Sequence, residues 1–204
     1  MFRAGAHRGI SAVWTRAMRL YADRRGVAAI EFAFIVPVLL VMYFVTMEAS
    51  QAIETSKKVS RIGSMVADLV TQQNTITKAD LDAIMQIGTS TLQPYNRSTP
   101  KIIITAIEVT TDAEVKVVWS RKLVDGTSAV DATKDTATTI PATLKVAGTF
   151  LIRVESDLAY EPVITWSPDG QQRLGLTSAF NKISMGETYY LRPRRSTTIP
   201  CSDC

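Results

Sequence analysis

The sequence predicts an α+β protein carried on a membrane anchor: one long amino-terminal helix, a short second helix, then an antiparallel sheet. Three observations point there. An apolar run of membrane length occupies residues 27–47 and contains a single carboxylate, Glu31. Apolar residues at helical spacing continue beyond that run to about residue 73. Near residue 100 the pattern changes to short runs rich in Ile and Val, separated by turn-forming residues, which is strand chemistry.

Residues 1–26 form a basic leader. Arg3, Arg8, Arg16, Arg19, Arg24 and Arg25 face one acid, Asp23, and supply much of the net charge of +4 carried by the 204 residues. Val13, Trp14, Ala17, Met18 and Tyr21 are spaced for one face of a helix, which suits either a segment lying on an anionic leaflet or an unstructured tether. Arginines immediately before a hydrophobic run place residues 1–25 in the cytoplasm and everything after Met47 across the membrane. Lys57, Lys58 and Arg61 oppose this weakly and are diluted by Glu48 and Glu54. A nucleic-acid-binding protein needs a basic face on its folded domain, and the arginines here sit elsewhere.

Residues 27–47 span about 31 Å as a helix, enough for a bilayer core. Pro37 lies inside the run, where membrane helices tolerate proline. Residues 48–75 read as an amphipathic continuation. Ala49, Ala52, Ile53, Val59, Ile62, Val66, Leu69 and Val70 recur at three- and four-residue intervals, while Lys57, Lys58, Arg61 and Asp68 take other faces. A capping box at Thr77-Lys78-Ala79-Asp80, ahead of Leu81, Ile84, Met85 and Ile87, starts a second helix that ends between Gly88 and Pro94. Residues 76–204 form the α+β domain.

Lys101–Glu108 and Ala113–Ser120 read as a hairpin joined through Thr110-Thr111-Asp112. Residues 121–142, rich in Ser, Thr, Asp, Gly and Ala, read as a long surface excursion. Strand character resumes at Thr149–Tyr160 and near Tyr189–Leu191, with a turn at Ser167-Pro168-Asp169-Gly170. The sheet is expected to bury the outer part of the long helix.

Enzymatic readings are poor. The only histidine, His7, lies in the leader, so a domain across the membrane has none for a triad or metal centre. There is no phosphate-binding loop and no dinucleotide glycine motif. Asp157 and Glu161 share a strand region but have the character of solvated surface. No catalytic residue, metal site or cofactor is assigned. Both cysteines lie at Cys201-Ser202-Asp203-Cys204. They supply two of the four ligands a structural zinc needs. The other readings are a local disulfide, which closes only a tiny loop, thiols without a role, and intermolecular pairing or redox chemistry.

Glu31 is the residue of greatest interest. A carboxylate at the centre of a membrane helix costs about 2.5–3.5 kcal/mol, and less near the interface, where it can reach water. Cleavage after Gly26 would create an amine on Val27, one helical turn from Glu31. The amine of one subunit could then neutralise Glu31 of another in low dielectric, and a wrong axial register would leave a charge buried.

Arg25-Gly26-Val27-Ala28-Ala29-Ile30-Glu31-Phe32-Ala33, followed by Phe34-Ile35-Val36-Pro37-Val38-Leu39-Leu40, resembles the amino-terminal segment of TadE-like proteins, pseudopilins of the bacterial tight-adherence (Tad/Flp) pilus system. Thr139-Ile140-Pro141-Ala142, Gly148-Thr149-Phe150-Leu151-Ile152, Ala159-Tyr160-Glu161-Pro162 and Tyr190-Leu191-Arg192-Pro193-Arg194 are also similar to that family. The resemblance implies a pilin-like fold and a minor pilin-like subunit, matured by a prepilin peptidase between Gly26 and Val27 and needed to assemble a Flp-type pilus for surface adherence. Glu31 maps onto the family's glutamate at the fifth mature position. Flp-type motifs commonly carry tyrosine next, and here Phe32 keeps the ring without the hydroxyl. The implied partners are the peptidase, the major Flp-type pilin, a sibling pseudopilin, the inner-membrane assembly platform and the membrane itself. The implied location is the bacterial inner membrane, with the carboxy-terminal domain periplasmic. Two rivals stand beside this reading. One is a binding protein released by cleavage at Ser50-Gln51-Ala52, where small residues follow an apolar run. The other is an anchored adhesin outside any pilus, using 121–142 as its contact surface.

Overall fold

The structure, a computed structural model, describes Met18, Arg19 and residues 26–162 and 183–204. Most of the basic leader and the expected turn at Ser167-Pro168-Asp169-Gly170 lie outside the described residues. The chain divides into two compact units, Met1–Met47 and Glu48–Cys204.

Helix α1 covers Val27–Thr71 and runs through Pro37 without a break. Among the described residues it is the helix long and apolar enough to cross a membrane, and none of its most apolar window is buried by protein. Ile30, Phe32, Phe34 and Leu39 all lie exposed. Such a surface is stable only in an apolar surround. Near the end of the run, the Thr46 hydroxyl donates to the carbonyls of Met42 and Tyr43 at 2.8 and 2.9 Å, so this polar group is satisfied within its own helix.

In the second unit, helix α2 spans Lys78–Ser90 behind the expected capping box. The Asp80 amide donates to Thr77 Oγ1 at 3.2 Å, and the Thr77 amide donates to Asp80 Oδ2 at 3.0 Å. Five strands follow: β1 Lys101–Val109, β2 Val115–Val124, β3 Thr127–Ala129, β4 Phe150–Tyr160 and β5 Ile183–Leu191. They form one antiparallel sheet in the order β3-β2-β1-β4-β5. The α+β class expected from the sequence is what the chain adopts.

Strand β1 is central and buried on both faces, which explains its unbroken Ile102-Ile103-Ile104. On one face Ile102, Ile104, Ile152, Val154 and Leu158 meet Val59, Ile62, Val66 and Val70 of α1 and Leu81 and Met85 of α2. On the other, Ile107, Val109, Val115 and Leu151 are covered by Ile140 and Leu144. Ala106 pairs with Trp119 but Ile107 pairs with Val117, so Val118 is an extra residue that bends β2.

Two expectations change. Residues 121–142 are not one surface excursion. Strand β2 runs on to Val124, turns at Asp125-Gly126 with φ of 48° and 74°, and returns as β3. Two consecutive positive φ values are what a tight two-residue hairpin requires, and an Asp-Gly pair supplies them. The chain then bonds to the outer edge of β2, with the Thr138 amide donating to Val115 and the Val117 amide to Thr136. The packing face of α1 also differs. Val59, Ile62, Val66 and Val70 are buried as expected, but Ile53 is 58 % exposed. At about 100° per residue it points half a turn away from Ile62. Gly63 and Ala67 are buried instead.

Gly63 sets how closely α1 approaches the sheet. A Cβ added there would lie 2.8 Å from Ser156 Oγ and 2.8 Å from Tyr189 Cδ2. The ring cannot swing aside freely, because its hydroxyl is bonded to Ser60 Oγ at 2.5 Å. Helix propensity alone would favour Gly63→Ala by about 1 kcal/mol. The expected result is the opposite, a loss of about 1–3 kcal/mol from overpacking, measurable by denaturant unfolding of the detergent-solubilised chain.

Candidate functional site

Gly26 has tight helical-turn backbone, and Val27 is the first residue of α1. A Cβ on Gly26 would meet nothing within 4 Å, and its φ is not in the left-handed region. Among the described residues nothing would crowd a side chain at this position, and its backbone handedness does not require glycine. Glu31 follows Val27 by four residues, about one turn and 6 Å along the axis. Gly26, Val27, Glu31 and Phe32 are all exposed. Glu31 lies beyond the first turn of α1, where the helix dipole has largely fallen off.

A second concentration of polar chemistry lies within the Glu48–Cys204 unit. The Tyr160 hydroxyl donates to Glu48 Oε1 at 2.5 Å, and both residues are buried. The Tyr95 and Tyr160 rings stack with centroids 5.4 Å apart. The Arg97 guanidinium lies over both rings, 4.7 Å from the Tyr95 centroid and 5.7 Å from that of Tyr160. Arg97 Nε donates to the Glu161 carbonyl at 2.6 Å, and Nη2 reaches Gln51 Oε1 at 3.4 Å. Burial, followed by the bond to Glu48, pushes the Tyr160 hydroxyl up to about 12. Beside the cluster Gln51, Glu54, Thr55, Lys58, Pro94, Tyr95 and Arg97 line a cleft of about 290 Å³. Lys58 within it is already engaged, by Glu54 at 3.1 Å and by the Gln93 carbonyl at 2.9 Å. This is the chemistry of a joint: it ties the start of the unit's helix to the end of β4 and to the loop before β1.

Arg121 of β2 grips Asp82 of α2 with two parallel bonds of 2.8 and 2.7 Å. That grip holds the Asp82 carboxyl below its ordinary value of 3.8. Cys201 and Cys204 are joined by a disulfide with Cα atoms 5.5 Å apart. Their sulfurs and an Asp203 carboxylate oxygen lie within 4.8 Å of one another. Zinc takes thiolates, and sulfurs bonded to each other do not offer them.

Of the residues singled out from the sequence, Gly26, Val27, Glu31 and Phe32 sit together at the start of α1, whereas Cys201 and Cys204 belong to the other compact unit. The Glu48–Tyr160–Arg97 joint was not anticipated. Its one sequence signal is that Glu48 is the first acid after the apolar run, next to residues that carry the helical pattern onward.

The family model for TadE-like proteins matches residues 26–61. The resemblance expected from the sequence is borne out over that stretch, which includes Gly26, Glu31 and Phe32 and reaches the first buried positions of the helix. No curated protein and no solved structure matches the chain.

Replacing Tyr160 with Phe removes a buried donor from Glu48 and should lower stability by about 1–3 kcal/mol. Because the Tyr160 value rises on folding, its contribution is fully present below pH 10 and is lost as the pH climbs from 10 towards 12. Asp82 behaves in the opposite sense: its contribution is present above pH 3.8 and disappears as the pH falls through its lowered folded value. Thermal unfolding of Tyr160→Phe and Asp82→Asn against pH should remove the alkaline and the acid loss respectively.

Proposed function

We propose that this chain, related through residues 26–61 to TadE-like proteins and so to the Tad pilus, is a minor pilin-like subunit needed to assemble a Flp-type pilus. It is anchored in the bacterial inner membrane by residues 27–47 and presents residues 48–204 on the periplasmic side. A prepilin peptidase hydrolyses the Gly26–Val27 amide, leaving a carboxylate on Gly26 and an ammonium on Val27. Glu31 of one molecule accepts the Val27 ammonium of another. The membrane makes that pairing decisive, because an unpaired carboxylate or ammonium is costly in hydrocarbon and only one axial register pairs them. Phe32 retains an aromatic ring beside the pair. The partners are the peptidase, the major pilin, a sibling pseudopilin and the assembly platform.

One observation carries this reading: the matched family segment begins at Gly26, where among the described residues nothing would crowd a Cβ and the φ is not left-handed. The Cys201–Cys204 bond also suits an oxidising periplasm. Release by cleavage after Ala52 is disfavoured, because it would strip Glu48 from Tyr160 and Gln51 from Arg97.

Intact mass of the membrane-extracted protein should place Val27 at the amino terminus; a product still starting at Met1 would defeat the maturation step. Glu31→Ala should insert normally and yet abolish or sharply reduce piliation. Unchanged pili in that variant would reduce Glu31 to an interfacial side chain reaching water. A soluble periplasmic pool of chains starting near Ile53 would favour release instead.

A further inference from the structure

The segment that follows β5 ties down both ends of the connection between the two helices. The Arg194 amide donates to the Thr71 carbonyl at 2.9 Å, at the carboxy end of α1, and Arg194 Nη2 pairs with Asp68 at 2.7 Å. Farther on, residues 200–202 run parallel to Ile76: the Ile76 amide donates to Pro200 and the Ser202 amide to Ile76, both at 3.1 Å. Ile199 is fully buried, and its carbonyl accepts Trp119 Nε1 at 2.8 Å. Then comes the Cys-Ser-Asp-Cys loop. Asp203 Oδ1 accepts the Lys78 amide at 2.8 Å, at the first residue of α2. Thr77 caps the Asp80 amide. Asp203 therefore supplies from 125 residues away a second cap that α2 does not supply for itself.

A disulfide closing so small a loop removes little entropy from the unfolded chain. Its two cysteines nevertheless bracket Ser202 and Asp203 in the chain, both sulfurs lie within 4.8 Å of an Asp203 carboxylate oxygen, and the Ser202 amide is held separately by the Ile76 carbonyl. Cys201 packs half-buried against the core, whereas Cys204 is exposed. We infer that the Cys201–Cys204 bond is an exchangeable latch: it holds Asp203 on the amino terminus of α2, and a dithiol that opens it uncaps that helix. An incoming thiolate attacks the exposed Cys204 sulfur, the S–S bond breaks, and Cys201 leaves as the thiolate. The second thiol of the reagent then attacks its own sulfur in the mixed disulfide. That releases Cys204 as a thiol and leaves the reagent as a disulfide. The inference concerns the carboxy-terminal domain and stands or falls independently of processing at Gly26.

The test is a double-mutant cycle on the full chain in detergent, with Cys201→Ser/Cys204→Ser, Asp203→Ala and the triple variant, read by Tm and by hydrogen exchange at the Lys78 amide. Opening the bond, by substitution or by dithiothreitol on the unaltered chain, should lower Tm by about 3 °C and speed Lys78 exchange about tenfold. In the Asp203→Ala background the same treatments should change Tm by under about 1 °C. Equal Tm losses with and without Asp203, or unchanged Lys78 exchange after complete reduction, would overturn the latch. The dithiothreitol arm needs no substitution, so a variant that fails to fold does not leave the question open.

Discussion

The distance between α1 and the sheet is the constraint on which the folded domain depends. At Gly63 the helix backbone comes so near β4 and β5 that one added carbon would collide with Ser156 and Tyr189. The approach is fastened by polar bonds as well as apolar contact. Ser156 Oγ donates to the Val59 carbonyl at 3.2 Å in a buried setting, and Ser60 meets the Tyr189 hydroxyl. Val59, Ile62, Val66 and Val70 can then reach the same face of the sheet that α2 covers. Gly88 repeats the device between the helices, where a Cβ would stand 3.0 Å from Val66 and 3.1 Å from Ile62.

Around that contact several backbone ends are closed by groups remote in sequence. Thr71 receives Arg194, Lys78 receives Asp203, and the indole of Trp119 holds the Ile199 carbonyl over the core. The free edge of β2 is taken first by β3 and then by residues 135–138. Strand β1 can be apolar on both faces because Ile140 and Leu144 cover the side that the helices do not.

The two halves of α1 answer to different solvents. From Val27 to the mid-forties its side chains are apolar and exposed, with Glu31 the single acid among them. From Glu48 onward the helix carries charges on its outer faces and buries one stripe. Among the described residues no hydrogen bond or ion pair accounts for the acid in the first stretch. The acid that opens the second has a partner in Tyr160. The two glutamates thus differ in setting: Glu48 is buried and bonded within the folded unit, whereas Glu31 is exposed on the apolar stretch.

The amino-acid sequence by itself determined the elements whose causes are local. The apolar run needed only composition, α2 only its Thr77–Asp80 box, and the hairpin of β1 and β2 only β-branched runs with a turn between them. The family likeness, too, rests on consecutive residues from 26 onward. The Asp125-Gly126 turn was equally local and was obscured by the polar residues around it. Tertiary structure alone decided which stripe of α1 faces inward, because helical spacing leaves neighbouring stripes nearly equivalent until a sheet selects one. It likewise decided that Glu48, Tyr160, Arg97 and Tyr95 meet, and that Asp203 reaches Lys78. These contacts join residues separated by dozens of positions, and a one-dimensional pattern carries no record of which distant groups will share a dry interior.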